Sequence, residues 1–379
     1  MLRDIHLSLM IGPLVPIPAP KIVIDHLDSI EVTVRDQGPS VFQLSFSLSN
    51  KSPLQILFLL SGGQPLLFMR VVIVVTLSGR SEVIMDGVIT HHQITPGSGG
   101  SQTALTITGE DLTALMNQQD FSGFPFPATP AEARVALLLA KYVGLGIVPL
   151  IIPSILIDVP LPTGNIPSQK GTDLAYIKAL ADRVGYVFYI DPGPKPGLNI
   201  AYWGPQIKIG VPQPALNIDM DAHTNVESLS FQFDNQKNKI PTVFIYNEIT
   251  KVVIPIPIPP ITPLNPPLGL IPPLPTSVGD LKPVRDDLSK RSIPQAIMIG
   301  LASAAKWAEA VTGTGELDVL RYGRVLKARQ LVGVRGAGTA FDGLHYVTSV
   351  KHKIKRGEYK QSFQLSRNGL ISTIPKVIP

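Results

Sequence analysis

The chain contains no cysteine, which excludes disulfides, thiolate metal sites and cysteine nucleophiles and leaves the compartment unassigned. Charge is scarce as well. Charged residues form 16% of the sequence against about 25% in average soluble proteins, while 44% of residues are hydrophobic, so disorder of the high-charge kind is excluded. The formal charge of +5 is a mild bias and no Lys/Arg run exceeds two or three residues, so specific nucleic-acid binding is not expected. Uninterrupted apolar runs are missing too. Ile56 to Leu77 is broken by Ser61-Gly62-Gly63-Gln64-Pro65 and reads as two strands and a turn rather than a membrane span. The opening Met1-Leu2-Arg3-Asp4-Ile5-His6 carries an acid and a histidine before a proline-broken stretch, a poor signal peptide.

What is abundant is proline, with 37 residues, and glycine, with 32, in a chain of 379 residues. That composition disfavours long helices and favours strands, turns and extended connectors; the length suggests two or three domains. A mean hydropathy of +0.23 with so little charge leaves too little polar surface for a monomer, so burial against other subunits is expected.

Period-two alternation marks strands at Ile30–Val34 and, after the turn at Asp36-Gln37-Gly38-Pro39, at Phe42–Leu48. Further strands are expected at Met69–Thr76, Val83–Thr90 and Ala104–Thr108, giving a small barrel or sandwich. A helical middle follows. Thr129-Pro130-Ala131-Glu132 reads as a capping box before a helix carrying Val135, Leu138, Leu139 and Tyr142, closed by Gly144. A second helix starts after Thr172, ends at Gly185 and runs into the strand Tyr186–Ile190. Strands return at Val226–Phe233 and Thr242–Tyr246. Ten prolines between Ile254 and Pro275 then exclude a helix or a central strand, leaving an extended arm or loop, either laid on protein surface or solvated. A helix near 292–311 and strands near Tyr322–Val332, Gly343–Lys353 and Glu358–Ser366 complete the reading. The fold class is α+β, mainly β, with domains at 1–120, 121–195 and 196–379, the last carrying the proline-rich arm 252–276.

Catalytic patterns are missing. There is no Gly-x-Ser-x-Gly, Walker loop or His-Glu-x-x-His, and Gly336-Ala337-Gly338 is followed by Phe341 where a dinucleotide fingerprint needs glycine. His91 and His92, adjacent on a strand, point to opposite faces and cannot share a metal. Glu110-Asp111 reads as capping of a short helix rather than acid catalysis. Asp219 and Asp221, two apart in an extended stretch, share a face but lack a calcium-type loop. Asp286-Asp287 among Lys282, Arg285, Lys290 and Arg291 is a solvated charged face. Trp203, Trp307 and Tyr202 are read as core rather than as a carbohydrate platform. No catalytic, cofactor-binding or metal residue is assigned, and no cofactor is expected.

Three segments resemble the phage late control D family of tail hub proteins. Gly171-Thr172-Asp173-Leu174-Ala175-Tyr176-Ile177-Lys178-Ala179-Leu180-Ala181-Asp182-Arg183-Val184-Gly185-Tyr186-Val187-Phe188-Tyr189 is similar to its helix-glycine-aromatic-strand motif. Phe341 to His352 with Gly357 to Gly369 resembles its closing strands, which also end the base domain of VgrG spikes. Val88 to Leu115, with Thr106-Ile107-Thr108-Gly109-Glu110-Asp111-Leu112, resembles the end of its first barrel. The likeness covers about half the chain, roughly 80 to 190 and 320 to 370. It implies two related tube-type β-barrel domains in each chain and a non-enzymatic baseplate hub. That hub is a homotrimer adapting a hexameric inner tube protein to a trimeric spike, assembled in the cytoplasm into a phage tail or contractile injection particle beside other baseplate proteins. Only Leu370 to Pro379 follows the closing strands, so the spike is expected on a separate chain. The alternative from the residues alone is a carbohydrate- or surface-binding β protein using Trp203 and Tyr202; an enzyme would need Glu110, Asp219 or Asp221 in a cleft.

Overall fold

The computed structural model describes residues 5–13, 15–48, 52, 54, 60–61, 64–65, 68–97, 103–154, 166–234, 240–247, 251–258, 266–271, 281–283, 293–307 and 309–373. It is mainly β with large antiparallel sheets. The first block comprises β1 (Ile5–Gly12), β2 (Ile17–Pro18), α1 (Lys21–Asp25), β3 (Leu27–Arg35), β4 (Val41–Leu48), β5 (Leu60–Ser61), β6 (Gln64–Pro65), β7 (Arg70–Leu77), β8 (Arg80–Thr95), β9 (Thr103–Asp111) and the single turn α2 (Thr113–Met116). The middle holds α3 (Ala131–Ala140), β10 (Ile147–Ile151), α4 (Asp173–Arg183), β11 (Val187–Pro192) and β12 (Asn199–Gly204). The second block runs through β13 (Gln213–Asn217), β14 (Ser228–Phe233), β15 (Ile240–Asn247), β16 (Val252–Pro257), β17 (Gly269–Ile271), β18 (Leu281–Pro283), α5 (Ile293–Trp307), β19 (Val311–Asp318), α6 (Val319–Tyr322), β20 (Leu331–Arg335), β21 (Gly343–Lys355), β22 (Glu358–Arg367) and β23 (Leu370–Ser372).

Both blocks belong to one 13-stranded sheet, ordered β14-β19-β22-β21-β3-β4-β9-β8-β7-β1-β2, with β13 and β20 joined to it through β21. Strict alternation builds it. In β4, Phe42, Leu44, Phe46 and Leu48 are buried while Val41, Gln43, Ser45 and Ser47 are half-exposed, so one face makes a core and the other meets solvent. That core is continuous across the blocks, from Ile30, Phe42 and Leu105 to Val350, Phe363 and Leu365.

The middle is a three-stranded sheet, β10-β12-β11, backed by α3 and α4 around Trp203, Ile177, Leu180, Val135 and Leu139. Thr172 accepts a hydrogen bond from the Ala175 N–H at 3.2 Å and caps α4 as the sequence indicates. The expected capping box on α3 is not formed: Thr129 donates to the Pro127 carbonyl at 2.9 Å, and Glu132 accepts from the Ser154 N–H at 3.0 Å. A tertiary partner draws Glu132 away, and Thr129 turns back on its own loop.

Two further expectations differ. The strand foreseen near Tyr322–Val332 begins only at Leu331, because Asp318 accepts N–H bonds from Leu320 and Arg321 and starts the helical turn α6 first. Within the proline-rich stretch, Val252–Pro257 is extended but not free: it pairs antiparallel with β15 along its whole length. Pro255 and Pro257, two apart, present their N–H-less nitrogens to one margin, which suits an edge strand. Pro149 in β10 is placed alike. Asn199 donates to Gly146 and Ile152 to Trp203, so Pro149 faces away from β12 on the sheet's free side.

Candidate functional site: a two-fold sheet with open edges

Eight consecutive strands of the large sheet, β14-β19-β22-β21 and β3-β4-β9-β8, read the same outward from the β21–β3 seam. On each side comes a hairpin, then a strand leading into a one-turn helix, then that strand's antiparallel neighbour. The correspondence extends to single residues. Thr33 pairs with Lys351 at the seam; Val32 pairs with His352 and Val34 with Val350, placing a local two-fold axis at the Thr33–Lys351 pair. Thr33 pairs with Val41 and Lys351 with Ser362, so Phe42 and Phe363 occupy equivalent positions. Phe42 lies opposite Gly109 and Phe363 opposite Gly315. A Cβ on Gly109 would sit 2.3 Å from the Phe42 ring, and one on Gly315 would sit 2.5 Å from the Phe363 ring, so each glycine exists to receive an aromatic ring.

The strands after both glycines end in an aspartate that starts a helical turn. Buried Asp111 accepts from the Thr113 N–H at 3.0 Å and, across the sheet, from the Ser40 N–H at 2.6 Å. Asp318 accepts from Leu320 at 2.8 Å and Arg321 at 3.0 Å. Burial raises the Asp111 carboxyl above its ordinary value, against the hydrogen bonds that favour its charged form.

The solvent face of these strands is polar and charge-balanced. Lys351 pairs with Glu31 at 2.7 Å, Lys353 with Glu316 at 3.8 Å, and Lys360 with Glu227 at 2.8 Å and Glu358 at 3.5 Å, among Ser45, Ser362, Gln43, Gln364, Thr106 and Thr314. Both ends of the face are open edges. The β7 ladder on β8 stops at the Arg70–Val88 pair, and Ile89 donates to the Met69 carbonyl at 2.9 Å, leaving Thr90–Thr95 without a strand on that side among the described residues. At the other end β14 pairs only with β19 among the described residues and holds no proline. Asp234 donates to Ala310, a register that turns the N–H groups of Leu229, Phe231 and Phe233 toward the free margin.

A buried joint fixes the middle unit against the seam. Arg329, at φ 64°, donates its N–H to Val347 at 2.8 Å, lays its guanidinium 4.0 Å from the Tyr189 ring centroid and pairs with Asp191. Beside it Gln206 donates to Asp36 at 3.1 Å, and Lys208 pairs with Glu309. Burial raises Asp36, with Glu309 adding to the rise and Lys208 and Arg329 opposing it. On the first block, Arg70 holds Asp86 by two bonds of 2.7 Å, and Asn199 of β12 donates to the same carboxylate at 2.8 Å. These groups are held mainly by one another, with Arg329 Nε and Nη2 left unpartnered among the described residues, and together they act as a docking joint.

The residues weighed in the sequence fall as follows. His91 is exposed and bonds Thr90 at 2.9 Å, while half-buried His92 has its imidazole pKa lowered by burial. Asp219 and Asp221 do not share an extended face: both have positive φ, 52° and 48°, and Asp221 opens a 3-10 turn. No group of three metal-ligating side chains occurs among the described residues. Trp203 is fully buried, edge-on to Tyr186 at 5.0 Å, and Tyr202 stacks on Tyr189 at 5.0 Å, so neither offers a sugar platform. Asp286 and Asp287 lie outside the described residues, as does the Trp307 side chain. Among described residues no helix is long and apolar enough to cross a membrane. The seam and its glycine–phenylalanine pairs escaped the sequence reading, although Thr108-Gly109-Glu110 and Thr314-Gly315-Glu316 repeat one tripeptide at the equivalent place.

No protein-family model matches the chain, and no curated protein matches it. Solved structures do. A tail protein from Neisseria meningitidis MC58 aligns with a TM-score of 0.61 at 14% identity, over 97% of this chain and 98% of that one. The 43 kDa tail protein of prophage MuSo2 from Shewanella oneidensis gives 0.60 at 11% identity, over 96% and 98%. A chain of the half-lidded Francisella PdpA–VgrG complex gives 0.61 at 12% identity, over 100% of this chain and 60% of that one. The fold is therefore that of these tail proteins and of a chain of the PdpA–VgrG complex, in line with the sequence resemblance.

Proposed function

We propose that the chain is the structural hub of a contractile, phage tail-like injection machine, a homotrimer that adapts a hexameric inner tube to a trimeric spike. The observation that carries this is the two-fold equivalence of β3-β4-β9-β8 and β21-β22-β19-β14 about the Thr33–Lys351 pair. Twin modules in one polypeptide let three copies offer six similar units to a sixfold tube. The first and second blocks, 1–120 and 196–379, are then two related tube-type barrel domains. The middle unit, 121–195, borrows β12 as its central strand, and the proline-rich arm and α5 form an insertion.

The two open edges support ring closure. β14 of one copy pairs with the Thr90–Thr95 margin of β8 in the next, and the polar, ion-paired face lines the resulting channel. Main-chain hydrogen bonds close the ring, and an obligate interface above about 2,000 Å² buries the apolar excess of the chain. Spike, tube and other baseplate proteins are the partners, and the particle is a phage tail or an injection device.

Light scattering or native mass measurement of the purified chain at micromolar concentration tests this, with a trimer expected. Leu229→Pro removes one outward N–H without touching the β14–β19 ladder, and Ser230→Lys places a charge on the same edge; both should shift the mass toward monomer. A stable monomer of the unaltered chain overturns the proposal.

A further inference from the structure

A groove of about 520 Å³ runs between the tip of the β7–β8 hairpin and the loops around α6 and β13, and neither the ring nor the core uses it. Two arginines line it from opposite sides. Arg80 opens β8 directly after the Ser78-Gly79 turn, whose φ values of 48° and 79° are those of a tight two-residue hairpin loop. Arg324 directly follows Gly323, φ 78°, the left-handed end of α6. Each guanidinium therefore hangs from a backbone fixed by its turn. Neither makes a hydrogen bond or ion pair among the described residues, whereas Lys327 beside them is paired with Glu82 at 3.2 Å. With three cations and one carboxylate, the lining carries excess positive charge.

The wall behind the arginines is held rigidly. Gln213 accepts from the Lys327 N–H at 2.8 Å and donates to the Lys327 carbonyl at 2.9 Å, while the Tyr322 hydroxyl donates to Pro214 at 2.6 Å. The lip is apolar: Val211, 92% exposed, stands next to Pro212. No aromatic side chain lines the groove, so it offers no platform on which nucleic-acid bases stack. A pair of unpartnered guanidiniums favours carboxylates, and an exposed aliphatic lip favours aliphatic side chains.

We infer that this groove is a docking site for an extended acidic segment of a partner protein, one in which carboxylates alternate with aliphatic residues. No residue of β14 or of the free β8 margin lines it, so the inference does not rest on the ring.

The test uses the full chain and a fluorescent peptide of alternating glutamate and leucine, with an alternating lysine–leucine peptide and single-stranded oligothymidylate as competitors for the reading. Binding of the glutamate–leucine peptide should weaken about tenfold in R80A/R324A and with rising salt. It should be unchanged in K21A/K195A, which removes the same charge from exposed sites elsewhere. R80E/R324E should gain affinity for the lysine–leucine peptide, a positive readout that a misfolded variant cannot give. Failure of the unaltered chain to bind the glutamate–leucine peptide, equal weakening in both alanine doubles, or tighter binding of the oligonucleotide overturns the proposal.

Discussion

The two halves of the eight-stranded face share strand order, register and glycine–phenylalanine pairs, yet their interiors are made differently. Around β3, β4 and β9 the buried side chains are mainly aliphatic or aromatic, with Thr103 and Asp111 polar at the two ends of β9. Around β21 and β22 they include His352, which meets the Tyr359 hydroxyl at 2.7 Å, and Gln361, whose amide bonds both the N–H and the carbonyl of Leu326 at 2.9 Å. His345 and Arg367 are buried there as well, the arginine donating to the carbonyls of Asp342, Phe341 and Gly369. By the two-fold, His352 stands where the first half has Val34, and Gln361 where it has Ser40. A shared fold thus requires only the pattern of sides, while the contents of the core are free to become a hydrogen-bonded network that satisfies an incoming loop.

The strongest challenge to the equivalence is deletion of its aromatic rings. Phe42→Ala and Phe363→Ala should each cost about 3–5 kcal/mol in urea or thermal unfolding, with similar values, since each ring covers a glycine in a closed core. A loss confined to one of them would break the comparison. Next comes the polar contrast. Gln361→Ala strands the buried Leu326 groups and should cost about 3 kcal/mol, while Ser40→Ala, whose buried hydroxyl has no partner among the described residues, should cost less than about 0.5 kcal/mol by the same assay.

Acid should separate the halves too. Burial lowers His352 and His345 to about 3, with Arg367 adding to the effect on His345, against about 6.5 in the unfolded chain. Above pH 6.5 neither state binds the proton; between 6.5 and 3 the unfolded chain alone does, so stability falls as the pH falls through that window. At pH 5.5 each histidine should have cost about 1.4 kcal/mol relative to pH 8. A double His345→Asn, His352→Gln variant should flatten the urea midpoint over this range; an unaltered slope would place the titration elsewhere. The smallest contrast is between the caps. Asp318→Ala should cost about 1 kcal/mol, and Asp111→Ala about 1 kcal/mol more, because Asp111 also holds Ser40 of the neighbouring strand. Thermal melts of the two variants read that difference directly.

Much of this fold was legible in the sequence because it is written in local periods. Alternation located β3, β4, β7, β8, β9, β21 and β22, and Thr172 and Gly185 marked the ends of α4. The capping box at Thr129 failed because Glu132 found a better partner in the chain entering from Ser154, far outside the local window. The continuous sheet was not legible, since β3 and β21 meet across more than three hundred residues and nothing in either strand names its partner. The joint of Asp36, Lys208, Glu309, Arg329 and Asp191 was hidden for the same reason: its members come from five separate stretches and acquire meaning only when brought together.

Pro149, Pro255 and Pro257 carry a consequence for the life of the subunit before assembly. Newly made copies must accumulate beside one another, and a β-rich chain in a crowded cell is prone to knit into fibrils. Along those margins a neighbouring chain would find carbonyls but gaps in the donors it needs, so random zippering stalls there.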